Sequence, residues 1–170
     1  MDIVLKHQNT ITFTINEYSR YLPQIESELI LSHVLGIKRE DGSLSYILLD
    51  GSGLTLAQAR VHYDGTNTDL KAISKIKESS LPNFLAKALQ RIYLIAPAGQ
   101  PCNRTFFFKL CQEQSTNNIF KSMYWGPFTV FHIDYKIGGR QDMVSTVIFS
   151  QPWLGIKLSL QRVNRKLKIP

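Results

Sequence analysis

Cysteine is scarce in this chain, and the scarcity excludes two classes of protein. Cys102 and Cys111 are the only two among 170 residues, too few for a disulfide framework and without the second pair of a CxxC metal knuckle. The opening Met1-Asp2-Ile3-Val4-Leu5-Lys6 lacks the basic stretch, apolar run and small-residue cleavage site of a secretory signal. The chain is therefore expected in a reducing compartment, not secreted. There both cysteines would be free thiols and the sequon Asn103-Arg104-Thr105 would stay unmodified. No run of about 18 apolar residues occurs, so no spanning helix is expected.

Grouped reactive residues are missing as well. His7, His33, His62 and His132 are scattered, and none stands three or four residues from another His or a Cys on an expected helix, as zinc sites usually require. His132 and Asp134 fall on the same face of one expected strand, about 7 Å apart. That suits an acid–base pair, but such neighbours are ordinary on polar strand faces. Gly51-Ser52-Gly53 lacks the leading glycine of GxSxG and any GK[ST] after it, and its flanks suit a hairpin. No catalytic residue, metal site or cofactor is expected.

What is present is alternation. From Phe128 to Ile137, the residues Phe131, Ile133, Tyr135 and Ile137 alternate with Val130, His132, Asp134 and Lys136, the period of a pleated strand with one apolar face. Gly138–Asp142 turns the chain into a return strand, Met143–Phe149. After Pro152, the residues Leu154, Ile156, Leu158 and Leu160 again alternate with Gly155, Lys157, Ser159 and Gln161. This C-terminal three-strand meander is the strongest pattern, and the upstream chain is expected to cover one face of it.

Upstream, Thr10–Ile15 reads as a β-branched strand, and Pro23–Ile37 as a helix opened by Pro23 with a broad apolar face. Leu44–Leu49 and Leu54–Val61 read as strands joined at Asp50–Gly53. Tyr63–Ser80 reads as a long exposed loop with room for one short strand. Ser80 is expected to cap a second helix, whose stripe Leu81, Phe84, Leu85, Ala88, Leu89 and Ile92 recurs at helical spacing, with Lys87 and Arg91 on the opposite face. Arg104–Leu110 reads as one strand carrying Phe106, Phe107 and Phe108, and Met123–Pro127 as an aromatic loop. The expected fold is α+β: an antiparallel β-sheet or sandwich covered by two helices. Residues 1–163 form a single globular domain and 164–170 a short basic tail.

Charge is lopsided. Residues 1–70 hold five Lys/Arg against nine Asp/Glu, a net of −4, and residues 71–170 hold fifteen against four, a net of +11. Such halves attract each other between neighbouring molecules, and the basic one attracts phosphate-bearing surfaces. Two basic groups are candidates for binding nucleic acid or an anionic surface. They are Lys157, Arg162, Arg165, Lys166 and Lys168 near the C-terminus, and Lys71, Lys75 and Lys77 joined by Lys87 and Arg91. Tyr124, Trp125 and Phe128 are candidates for a membrane or protein interface, because Tyr and Trp suit sites with one apolar and one wet side.

The element order resembles the globular domain of rhabdovirus matrix proteins of the short, plant-infecting type. The likeness runs through strand Thr10–Ile15, helix Pro23–Ile37, strand Leu44–Leu49 with its Asp50–Gly53 turn, and the meander opening at Gly126-Pro127-Phe128. No Lys-rich N-terminus and no PPxY or PTAP motif is present. The resemblance implies a non-enzymatic structural protein of the virion and host cytoplasm. Such a protein self-associates, condenses a nucleocapsid ribonucleoprotein and lies against an anionic membrane surface. One alternative is a single-stranded RNA-binding protein, such as a viral silencing suppressor, stacking bases on Phe106–Phe108 or Trp125. Another is a small-ligand β-barrel, which requires an apolar cavity.

Overall fold

The alternating segments pair into one antiparallel sheet. The computed structural model describes residues 8–15, 33–40, 42–50, 52–98, 101–138 and 144–162. Its strands are β1 (Gln8–Ile15), β2 (His33–Glu40), β3 (Ser43–Leu49), β4 (Thr55–His62), β5 (Asn67–Ala72), β6 (Cys102–Arg104), β7 (Phe108–Gln114), β8 (Asn118–Trp125), β9 (Phe128–Ile137), β10 (Val144–Gln151) and β11 (Ile156–Arg162). Across the sheet they run β5-β4-β3-β2-β1-β11-β10-β9-β8-β7-β6. Neighbours are consecutive in sequence except where β1 meets β11, with Ile11 opposite Leu160 and Phe13 opposite Leu158. That ladder joins the early strands to the late ones and leaves β5 and β6 as the edges.

The meander β9–β10–β11 forms with the expected faces: Phe131, Ile133, Val147, Phe149, Leu158 and Leu160 are all buried. The upstream strands form no separate layer over it, however; β1 to β5 extend the same sheet. The result is mostly antiparallel sheet with few helical residues, α+β in outline only. The helix expected over Pro23–Ile37 is corrected at its C-terminal end, because His33–Ile37 belong to β2 and pair with β3 through Ile37 opposite Tyr46. The rest of that segment, like Met143, lies outside the described residues. Tyr63–Ser80 is more ordered than a loop, containing β5 and a single helical turn, α1 (Ser74–Lys77). At edge strand β5, Asp69 takes φ +54° and the register to β4 shifts between Gln58 and Arg60. Such an irregularity blunts an edge against further pairing.

The expected second helix is α2 (Leu81–Leu89), continued by a π-helical turn, Gln90–Leu94. Ser80 stands at its N-cap but makes no side-chain cap bond; the Leu81 N–H is met instead by Ser79 Oγ at 3.3 Å. The apolar stripe buries Leu85, Leu89 and Ile92 in the same core as Leu44, Val61, Phe131 and Phe149. The helix is tied at both ends. Gln90 Nε2 donates to Tyr63 O at 2.6 Å, and Asn67 Nδ2 donates to Pro82 O at 3.0 Å. At the C-terminal end, Lys121 of β8 sends its ammonium to the carbonyls of Arg91, Ile92 and Ile95 at 2.9, 3.0 and 2.7 Å. Tyr135 of β9 donates its hydroxyl to Ile92 O as well.

Those two anchorages require a curled sheet. From β4 to β8 there are seven strand intervals, roughly 34 Å in a flat sheet at about 4.8 Å each. The fourteen helical residues Leu81–Leu94 span at most about 21 Å. One helix can hold both wings only if the sheet wraps around it, which places the helix on the concave side and fills that side with its apolar stripe.

An aromatic tip as the candidate functional site

Three hairpins turn at the same end of the late strands: β6–β7 at Phe106–Phe107, β8–β9 at Gly126–Pro127, and β10–β11 at Pro152–Gly155. The middle turn follows ordinary chemistry. Gly126 takes φ +56° at its first central position and Pro127 fixes the next residue. The β6–β7 turn does not. Thr105 and Phe108 exchange both backbone hydrogen bonds, at 2.8 and 3.0 Å, so the two central residues are Phe106 and Phe107. Two-residue turns favour Gly, Asn and Asp, yet Phe106 is 97% exposed and Phe107 67%.

Around them the other tips bring further rings. Phe108, Trp125 and Phe128 form one cross-strand row, and Trp125, Phe128 and Trp153 pack mutually, with centroids 5.7 to 6.3 Å apart. Trp153 is fixed by its indole N–H, which donates to Thr129 O. All of these remain about half exposed, from 44% at Phe108 to 56% at Phe128. A groove of about 390 Å³ runs between the tips, lined by Phe106, Phe107, Trp125 and Phe128 with Arg104 and Lys109.

Of the interface residues expected from sequence, Trp125 and Phe128 stand in this patch, while Tyr124 is half-buried on β8. The segment Met123–Pro127 is not a loop: Met123–Trp125 end β8, and only Gly126 and Pro127 turn. Arg104–Leu110 is likewise not one strand but a hairpin bent at the second and third residues after Arg104. Trp153 carried no sequence signal beyond its place after Pro152.

The same hairpin corrects the cysteines. Cys102 and Cys111 are directly opposite on β6 and β7 and form a disulfide. With a two-residue turn at Phe106–Phe107, eight intervening residues put them in register, which is the signal a single-strand reading hides. The pairing also removes their support for a reducing compartment.

The two expected basic groups do not converge on each other. Lys71 lies on edge strand β5, Lys75 and Lys77 on α1 and Lys87 on α2, all exposed. Lys157 is exposed on β11, five strands away from β5 in the sheet order. Arg162 ends β11 opposite Asn9, and Arg165, Lys166 and Lys168 lie outside the described residues. Arg91 is not on a solvent face: it is half-buried with its guanidinium 5.1 Å from the Phe131 ring centroid, and burial lowers its pKa. The His132–Asp134 pair is not assembled either. His132 Nδ1 meets Ser122 Oγ at 2.7 Å and its ring stacks on Phe120, while Asp134 Oδ1 is buried with no hydrogen-bond partner among the described residues. The Asp50 turn forms as expected, with Asp50 Oδ1 accepting from Ser52 N, Ser52 Oγ and Leu54 N at 2.7 to 2.9 Å. Those bonds, the Ser52 hydroxyl first, hold its carboxyl below the ordinary range.

No protein-family model matches the chain, and no curated protein matches it. Among the described residues no helix is long and apolar enough to cross a membrane.

Proposed function

We propose that the chain is a non-enzymatic structural protein of the matrix type that attaches to a membrane surface by its aromatic tip. The observation that carries this reading is the Phe106–Phe107 turn. Folding gains nothing from two rings held in water at central turn positions, and local rules are typically broken where function requires it. Tryptophan beside phenylalanine on adjoining tips suits the headgroup boundary, where indole N–H and ring find different surroundings. On the concave side, Leu85 and Leu89 belong to one buried apolar cluster with Phe131 and Phe149, which favours a packed interior over the small-ligand barrel. The opposite charges of the early and late sequence supply contacts between copies, and the exposed Lys71, Lys75, Lys77 and Lys87 supply contacts to a ribonucleoprotein.

Co-sedimentation with phosphatidylcholine vesicles tests the attachment. Phe106→Ser with Phe107→Ser removes about 1.5 kcal/mol per ring at the low end of aromatic burial, so partitioning should weaken about 100-fold. Unchanged sedimentation of the double variant would refute the reading. Tight binding of short single-stranded RNA that is lost in the same variant would favour the RNA-binding alternative instead.

A further inference from the structure

At the base of the tip, two cations face each other across a strand pair. Arg104 on β6 is directly opposite Lys109 on β7. Because Thr105 and Phe108 form the hydrogen-bonded pair, Arg104 and Lys109 occupy the next, non-bonded pair, the geometry in which facing side chains come closest. Like charges so placed repel. The nearest acid on that face of β7 is Glu113, four residues along and about 14 Å away by strand geometry, beyond the screening distance of about 8 Å at physiological salt. Tyr124 follows Lys109 in the same cross-strand row and adds a phenolic hydroxyl. Arg104 and Lys109 are both exposed, and both line the groove whose other walls are Phe106, Phe107, Trp125 and Phe128.

We infer that Arg104 and Lys109 form a binding site for a phosphate monoester, and that the monoester is the headgroup of a membrane lipid whose acyl region meets the aromatic tip. This rests on the membrane attachment proposed above. Two adjacent positive charges match the nearly two negative charges of a monoester at neutral pH, and the Arg fork can hold two of its oxygens at once. A headgroup with a single net charge leaves one cation uncompensated. The aromatic wall selects the source: a phosphate carried on an acyl chain satisfies both halves of the groove, and a free one satisfies only the cations.

The test compares vesicles of phosphatidylcholine alone with vesicles containing phosphatidic acid, or phosphatidylserine at matched surface charge. Wild-type protein should prefer phosphatidic acid over phosphatidylserine. Arg104→Gln with Lys109→Gln should weaken binding to phosphatidic acid vesicles about 30-fold, at roughly fivefold per basic residue, and weaken binding to phosphatidylcholine far less. Equal binding of the two anionic vesicles by wild type overturns the proposal, as does a double Gln variant that keeps the preference. Glycerol 3-phosphate binding in free solution as tightly as the vesicles would assign the site to a soluble phosphate and overturn the lipid source. The aromatic attachment fails separately, through wild-type loss of phosphatidylcholine binding with the phosphatidic acid preference intact. Circular dichroism of the Gln variant checks its fold, and Arg104→Lys with Lys109→Arg should restore the binding.

Discussion

Replacing Lys121 by Met keeps the length and apolar stem of the side chain and deletes only the ammonium. In the native fold that group is buried, 4% exposed, and bonded to three carbonyls at the end of the helical segment. A cation at a helix C-terminus also complements the helix dipole. After substitution Ile92 O still accepts from Tyr135, so the carbonyls of Arg91 and Ile95 are the ones that lose their donor. Both of those bonds are part-buried, so each carbonyl left without its donor costs the low end of about 1–3 kcal/mol, and part of this is offset because no charge need now be buried. The expected net loss is about 1–2 kcal/mol. Urea denaturation followed by far-ultraviolet circular dichroism would show it as a midpoint lowered by about 0.5–1 M, with a slope near 2 kcal/mol/M for a domain of this size. Tyr135→Phe alone should cost less, since Lys121 still serves Ile92 O, and the double variant should lose more than the sum. A Lys121→Met protein within about 0.5 kcal/mol of wild type would refute the idea that this lysine pins the helix to the late wing.

Other consequences follow from single groups. Tyr46 is buried and its hydroxyl has no partner among the described residues, so Tyr46→Phe should be neutral or stabilising by about 1 kcal/mol in the same denaturation assay. Burial pushes the Tyr46 pKa up to about 12, and burial followed by the nearby Tyr93 raises that of Tyr135. Both contributions are complete below the unfolded tyrosine value near 10 and are lost as pH rises through the folded one, about 2–3 kcal/mol for Tyr46 by pH 12. A stability flat between pH 9 and 12 would contradict both burials. Non-reducing alkylation of unfolded protein should label neither cysteine, and Cys102→Ser with Cys111→Ser should cost about 2–3 kcal/mol. Two labelled thiols would refute the disulfide. Sedimentation at low and high salt should differ if opposite charges join copies of the chain, and a monomer at both would remove self-association.

The hairpins were legible wherever alternation and turn chemistry agreed. Phe131, Ile133, Leu158 and Leu160 reveal their face by period alone, and Asp50-Gly51-Ser52-Gly53 announces its turn. His33–Ile37 misled because His33, Val34 and Ile37 suit a helical stripe and a strand equally well over so few residues. One of their two partner strands, β1, is remote in the chain, so that half of the pairing leaves no local pattern. The curl of the sheet was invisible, because it depends on Lys121 reaching a helix end 26 to 30 residues earlier in the chain. Of the tip, Trp125 and Phe128 were found by residue type. Phe106 and Phe107 were hidden because two phenylalanines resemble strand and not turn. The facing cysteines on either side carried the missing register.

Both tryptophans of the chain, Trp125 and Trp153, stand at the tip, so intrinsic fluorescence reports on its surroundings without any label. Vesicles carrying quenchers in their acyl chains provide the most direct measurement of attachment. Emission should shift to the blue and be quenched on binding, and Phe106→Ser with Phe107→Ser should abolish both changes at the same lipid concentration. Vesicle-bound protein whose tryptophan emission neither shifts nor quenches would show that the aromatic tip is not what meets the membrane.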